Sequence, residues 1–312
     1  MNLEIKTLFD VVLTMILPVL AGFVATKAKI LSEDYPKKLS TFVLYTCQPF
    51  LLISLVWGTE YSSSKTAMGL TLFAVGFICH SIAALIAFFI TLPYKDKGMG
   101  RILEHCITFG NCGFFGIPII RAVFGESGVF YSGFFIITFN VVLWSYGNLV
   151  IGRARKEVRI NLRKILLNAG TIPCFLGMAL YLCRVPIYAP ILKSMKTIGD
   201  ACTPLSMIIV GALLARIPFK KLLSDINVYI ASTVKLILTP ITVALLLRLF
   251  GFSEYVCIFG ALMMTLPSAT SSVMFAQTYD MHPELSAHTV GISTILSVAT
   301  IPLIMQLIKI IV

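Results

Sequence analysis

The stretch ILEHCITFGNCGFFGIPIIRAVFG, residues 102–125, decides how this chain is read. It is apolar enough to lie in a bilayer, yet Gly110, Gly113, Gly116 and Pro118 fall inside what would be one membrane-spanning helix. Each Gly costs a helix about 1 kcal/mol relative to Ala, and Pro about 3. In lipid such a break strands backbone N–H and C=O groups, which is tolerated only where protein or a wet cavity supplies partners. A second stretch, LMMTLPSATSSVMFAQTYD at 262–280, carries the same kind of interruption. Pro267 breaks it, and Ser268, Thr270, Ser271 and Ser272 offer hydroxyls to the freed backbone. Two kinked structural helices are the plainer alternative.

The rest of the sequence sets both stretches in a membrane. Of 312 residues, 58% are hydrophobic and 12% charged, where ordinary soluble domains carry roughly 25% charge. That composition predicts an all-α integral membrane protein and argues against a secreted disulfide scaffold, a disordered tail or a typical soluble enzyme. The net charge of +11 is spread over short connections, whereas a nucleic-acid binder concentrates its basic residues on one face. Eight cysteines, with no CxxC pair, read as small buried hydrophobes. A bilayer core needs about 20 apolar residues per helix. Ten stretches qualify, near 5–26, 38–57, 67–92, 102–123, 129–151, 164–183, 199–217, 226–249, 254–279 and 286–311. The first holds Pro18 and Gly22 and lacks a basic leader and a cleavage site, so it reads as a retained helix.

Orientation follows from counting Lys and Arg on each side. The connections after spans 1, 3, 5, 7 and 9 hold sixteen, six of them in the basic connection between spans 5 and 6. The other side, termini included, holds eight, and Lys235 lies within a span. The richer side is expected to be cytoplasmic, which leaves both termini outside. A soluble partner for the basic connection is the alternative.

An internal repeat runs through the ten spans. Pro18 matches Pro173, Gly22 matches Gly177, Cys47 matches Cys202 and Pro49 matches Pro204, each pair 155 residues apart. Residues 1–152 thus form one five-helix repeat and 164–312 a second, joined by a basic linker at 153–163. Five is odd, so the second copy is expected to be inverted. Inverted repeats with interrupted helices mark secondary transporters that bind substrate near the midplane.

The breaks have a direction. Span 4 runs outward and span 9 inward, so their second halves start near the midplane, around Gly116–Pro118 and Ser268–Ser272. Pro in a first turn and Ser or Thr at a cap are favoured helix starts. Two helix N-termini then converge, each with unpaired N–H groups and partial positive charge. Such a site suits an anion, especially a carboxylate. Asn111 is expected to offer its amide donors and its carbonyl to the same space.

Asn111-x4-Gly116-Ile117-Pro118, with Leu266-Pro267, Phe275-Ala276-x2-Tyr279 and His282-Pro283, resembles the auxin efflux carrier family. That family includes plant PIN-type carriers and bacterial permeases for malate, malonate and related acids. The resemblance covers the whole chain and implies crossing fourth and ninth helices. It further implies an elevator-type carrier, with scaffold helices 1, 2, 6 and 7 and a moving core of helices 3–5 and 8–10. By the same match Asn111 takes the place of the substrate-contacting asparagine. Two departures stand out: the long cytoplasmic loop of plant members is reduced to about a dozen residues, and Ser272 replaces their second crossover proline.

Ionisable groups deep in a span are functional candidates. His80 and Lys235 lie near mid-span and differ by 155 as well. They read as electrostatic support for an anion or, at His80, as a proton-linked switch. The alternatives are a neutral histidine bonded to a carbonyl and a snorkelling lysine. Gln48 and Thr203 precede the breaks at Pro49 and Pro204 and face the substrate from the scaffold, or simply mark kinks. Asn140 is either a site residue or a packing amide. Asp10, Glu104, Asp200 and Glu254 all fall toward span ends, which leaves a carboxylate-based sodium site unsupported. No cofactor and no metal set is expected. Besides the substrate, the expected partners are lipid and a second copy paired through the scaffold helices. A channel or a sensor built on the same crossover is the competing function. An intramembrane enzyme lacks its motifs, since neither GxSxG, HExxH nor paired aspartates occur.

Overall fold

Uninterrupted apolar runs close their backbone hydrogen bonds within themselves, so they emerge as long helices. The computed structural model describes residues 3–32, 34–154, 167–218 and 225–312. Helices α1 (Ile5–Lys27), α2 (Tyr35–Trp57), α3 (Ser63–Thr91), α4 (Lys97–Thr108), α5 (Cys112–Gly152) and α6 (Thr171–Leu182) follow in order. They continue as α7 (Ala189–Leu214), α8 (Ile226–Leu249), α9 (Glu254–Thr265), α10 (Thr270–Thr278) and α11 (Pro283–Ile311). Among the described residues there is no strand. Helices α1, α2, α3, α5, α7, α8 and α11 are long and apolar enough to cross a membrane. Their outer faces leave residues such as Leu17, Phe89, Leu249 and Ile310 uncovered, as lipid-facing helices do. The chain is a multi-pass membrane protein.

Several expected boundaries shift. The fourth span divides into α4 and the start of α5, and the ninth into α9 and α10. Helix α5 merges two spans: Gly125 sits between them at φ 67° and ψ −163°, a backbone state open to glycine. The seventh helix starts at Ala189 rather than near 199, because Pro190 in its first turn starts an amphipathic segment ahead of the apolar run. Most of the basic linker, including Arg159, lies outside the described residues, as do Lys220, Lys221 and the first part of the sixth span.

Wide π-turns interrupt the spanning helices at Val43–Cys47, Cys112–Gly116, Leu143–Gly147 and Val234–Leu238. The first, second and fourth of these end two residues before a proline: Pro49, Pro118 and Pro240. Proline donates no N–H and its ring crowds the carbonyl four residues back. An extra residue in the preceding turn relieves both effects, and such bulges recur at functional sites.

Helix pairing follows the 155-residue offset. Helix α1 packs most extensively on α7, and the second half of α2, Gln48–Trp57, on α6. Gly22 lies directly under the Ile208 backbone, and a Cβ on Gly177 would sit 3.0 Å from Ile53 Cα. Glycine permits this close approach, and small residues make such contacts between membrane helices. Each contact maps onto the other when its residues are shifted by 155. Cys47 and Cys202, themselves 155 apart, meet thiol to thiol.

A carboxylate network anchors the other end of α5. Glu104, fully buried on α4, accepts from Arg101, from Tyr146 Oη at 2.6 Å and from Arg153 Nη1 at 3.1 Å. Both guanidinium groups also lie over the Phe88 ring. Position along the span had placed Glu104 toward an end; its burial comes from α3 and α5 closing over it.

Candidate functional site

The two broken spans cross where their first halves end. Helix α4 stops at Thr108 and α9 at Thr265, and the short extended links beyond them meet. Gly110 and Ser268 form an isolated antiparallel bridge. Asn111 N–H donates to Pro267 O at 2.8 Å, and Ala269 N–H donates to Phe109 O at 2.9 Å. Ser268 closes the remaining gaps, its hydroxyl donating to Cys106 O at 2.9 Å and its N–H to Ser293 Oγ at 3.1 Å. The breaks therefore satisfy each other, which is how interrupted backbone survives at membrane depth.

From this crossing the second halves depart. Asn111 caps α5, its Oδ1 accepting from Phe114 N–H at 3.3 Å. Its Nδ2 is buried and has no partner among the described residues. The expectation that Asn111 presents both its amide donors and its carbonyl is thereby corrected: capping uses the carbonyl and leaves the NH2 group. The start of α10 has no side-chain cap.

Both starts open on one cavity. It is small, with a cavity volume of about 70 Å3. Asn111, Gly113, Thr270, Ser271, Gln48 and Asn140 line it. Around a Cβ placed on Gly113 nothing lies within 4 Å, so that backbone is open to the cavity. Leu51, Leu52, Phe114, Phe139, Trp144, Ile209 and Met274 supply an apolar wall. Neither a carboxylate nor a cationic side chain is among the lining residues.

Other expected residues shape the crossing, and of these Asn140 alone also lines the cavity. Gly116 gives way to the Leu266 side chain, 2.7 Å from where its Cβ would be. Pro118 follows the π-turn, and Pro267 supplies the carbonyl that Asn111 bonds. Thr203 reaches over from α7 and donates to Phe114 O at 2.8 Å. Ser272 is spent on His105, Oγ to Nδ1 at 2.9 Å. Asn140 donates to Ile136 O of its own helix at 2.9 Å and packs beside Gly170, so it is a packing amide at the cavity edge. His80 bonds Gly76 O through Nδ1 at 2.7 Å and sits among Phe109, Phe135 and Phe139. Lys235 stands against Gly110 and is not among the residues that line the cavity.

Sequence reading passed over two residues here. Ser206 lines the cavity with a buried hydroxyl that has no partner among the described residues. It lies three residues after Thr203, on the same helix face, which was the available signal. His105 ties α4 to α10 through Ser272, and nothing in its local sequence marks it.

A family model described as "Membrane transport protein" matches residues 7–305. The chain belongs to that family. An "Uncharacterized transporter" of Methanocaldococcus jannaschii is 28% identical over 94% of this chain and 96% of its own length. A Rhizobium meliloti protein named "Putative malonate transporter" is 24% identical over 87% of this chain and 86% of its own length. An "Uncharacterized transporter" of Methanothermobacter thermautotrophicus is 23% identical, covering 94% of this chain and 96% of its own. This membrane transport protein is thus similar along most of its length to proteins named as transporters. The resemblance carried by Asn111, Gly116, Pro118 and Pro267 is borne out at the level of the family.

Proposed function

We propose that this protein is a secondary-active, elevator-type carrier of a small organic anion, a mono- or dicarboxylate. The observation that carries the reading is the cavity at the crossing. Three buried polar groups without partners among the described residues, Asn111 Nδ2, Ser271 Oγ and Ser206 Oγ, stand at or beside it. Two helix starts, with their partial positive charge, open on the same space. Donors and apolar wall together suit a carboxylate on a small carbon skeleton. The similarity to a protein named for malonate agrees with that class.

The same reading arranges the ten spans as two inverted five-helix repeats. Its support is the pair of contacts Gly22–Ile208 and Gly177–Ile53, related by one offset, and the meeting of Cys47 with Cys202. Scaffold helices 1, 2, 6 and 7 correspond to α1, α2, α6 and α7, which pack on one another. With both termini outside, the cavity faces the cytoplasmic half. A second, charged recess lined by Lys65, Arg121, Glu126, Lys196 and Asp200 faces the outer half, and Leu51 borders both. Alternating access then moves the crossing past Leu51. A proton is the coupling ion of this reading, with His80 as its switch, because no carboxylate is among the described residues that line the cavity.

The test is counterflow in proteoliposomes. Vesicles preloaded with unlabelled malonate, succinate, malate, lactate or pyruvate are expected to accumulate the labelled acid saturably with sodium replaced by choline. Uptake is expected to rise as external pH falls, and His80→Gln to flatten that rise. Unsaturable, voltage-driven current without counterflow would identify a channel and overturn the carrier reading.

A further inference from the structure

Lys235 is fully buried, and its ammonium has no hydrogen-bond partner or carboxylate within ion-pair distance among the described residues. Its placement is specific. The π-turn Val234–Leu238 that carries it packs on α4, α9 and α11. A Cβ on Gly110 would lie 3.1 Å from Lys235 Nζ, 3.4 Å from its Cε and 3.4 Å from Met263 O. The absence of a side chain at Gly110 therefore makes room for the ammonium. Gly110 directly follows the C-cap of α4, and Met263 lies in the last turn of α9. The ammonium thus sits where the C-terminal ends of both first half-helices converge.

Helix C-termini carry exposed carbonyls and partial negative charge. In carriers with broken helices, these ends and the unwound carbonyls beside them hold the coupling cation, while the N-terminal ends hold the anion. The present crossing has its N-terminal ends on the cavity side and a lysine on the C-terminal side. The titratable groups that interact electrostatically with Lys235 are Cys112 and His80, and neither is a carboxylate.

We infer that the Lys235 ammonium is a tethered cation, neutralising the C-terminal ends of α4 and α9 in the position that a free monovalent cation would otherwise fill. The inference rests on the carrier reading above for its consequence in transport, but the electrostatic role is independent of the substrate. The chain supplies this charge itself, so neither the fold of the crossing nor anion uptake requires sodium. Removing the side chain leaves two negative helix ends and a space of about the side chain's volume for a small cation.

The experiment compares Lys235→Ala with wild type, purified in detergent and in proteoliposomes, in choline, sodium and ethylammonium chloride at equal ionic strength. For wild type, the unfolding midpoint is expected to be the same in the three salts. For Lys235→Ala it is expected to be lower in choline and to rise by several degrees in sodium or ethylammonium. Malonate uptake by the variant should fall at least tenfold in choline and recover in part with the same cations. A variant that unfolds at the wild-type midpoint in choline, or gains nothing from either cation, overturns the proposal. Should Lys235→Ala not fold, Lys235→Met restores the volume without the charge. It is expected to fold and to lose uptake at least tenfold, and wild-type uptake by it would overturn the proposal. If wild type moves no carboxylate at all, the carrier reading fails while the cation-specific midpoints still test the tethered charge.

Discussion

Asn111 shows how much one side chain does at a broken helix. Its carbonyl oxygen caps the half-helix, and its NH2 group is left at the cavity. The two roles separate in substitution. Asn111→Ala loses a cap, at about 1 kcal/mol of stability, and one donor to the anion. A hydrogen bond to a charged group contributes roughly 1.5–3 kcal/mol, and about 1.4 kcal/mol is tenfold. The expected outcome is a protein that still folds, with a half-saturation concentration raised about tenfold or more. Asn111→Asp keeps the cap oxygen and replaces the donor by a negative charge, so its uptake should fall further while its melting midpoint stays nearer wild type. Saturable uptake by Asn111→Ala at the wild-type half-saturation would remove this residue from the site.

Elements meet in this protein through glycine, and the glycines divide by what surrounds them. Gly22 of α1 lies against the backbone of Ile208 on α7, which has no flexible end to move aside. Gly113 faces open space. Gly22→Ala is therefore expected to cost about 1–3 kcal/mol, as overpacking does, and to lower the melting midpoint. Gly113→Ala should melt like wild type but narrow the cavity, so uptake of the larger acids falls first. Equal melting of the two variants would show that α1 and α7 do not approach as closely as described. The wide turns belong to the same scale. Each proline-linked π-turn shifts the helix face that follows.

The whole molecule poses the question of sidedness. Sixteen basic residues on one side against eight on the other predict a C-terminus outside, and an even number of spans predicts the N-terminus there too. Single cysteines introduced near Arg159 and at the C-terminus, in a background without the native thiols, test this with a membrane-impermeant maleimide on intact cells. The expected result is labelling at the C-terminus and protection near Arg159. A labelled linker or a protected C-terminus would break the ten-span inverted arrangement.

Hydropathy by itself determined that the chain is helical and lies in a membrane, because the bilayer forces each apolar run to satisfy its own backbone. Gly110, Gly113, Gly116, Pro118 and Pro267 also marked from sequence where helices break, since their backbone chemistry is local. Family membership was legible from the same residues. Tertiary structure alone decided which of them line the cavity. Gly116 and Ser272 turned out to serve Leu266 and His105, and Ser206 entered the site, because side-chain direction depends on how α7, α4 and α10 cross. Burial of Glu104 was equally hidden: a carboxylate near a span end reads as solvated until Arg101, Tyr146 and Arg153 are seen to close on it. The 155-residue offset paired His80 with Lys235 as equivalents, yet one bonds its own helix and the other stands against Gly110. A repeat in sequence equates positions along the chain, while the charge that each position meets depends on which helix ends pack around it.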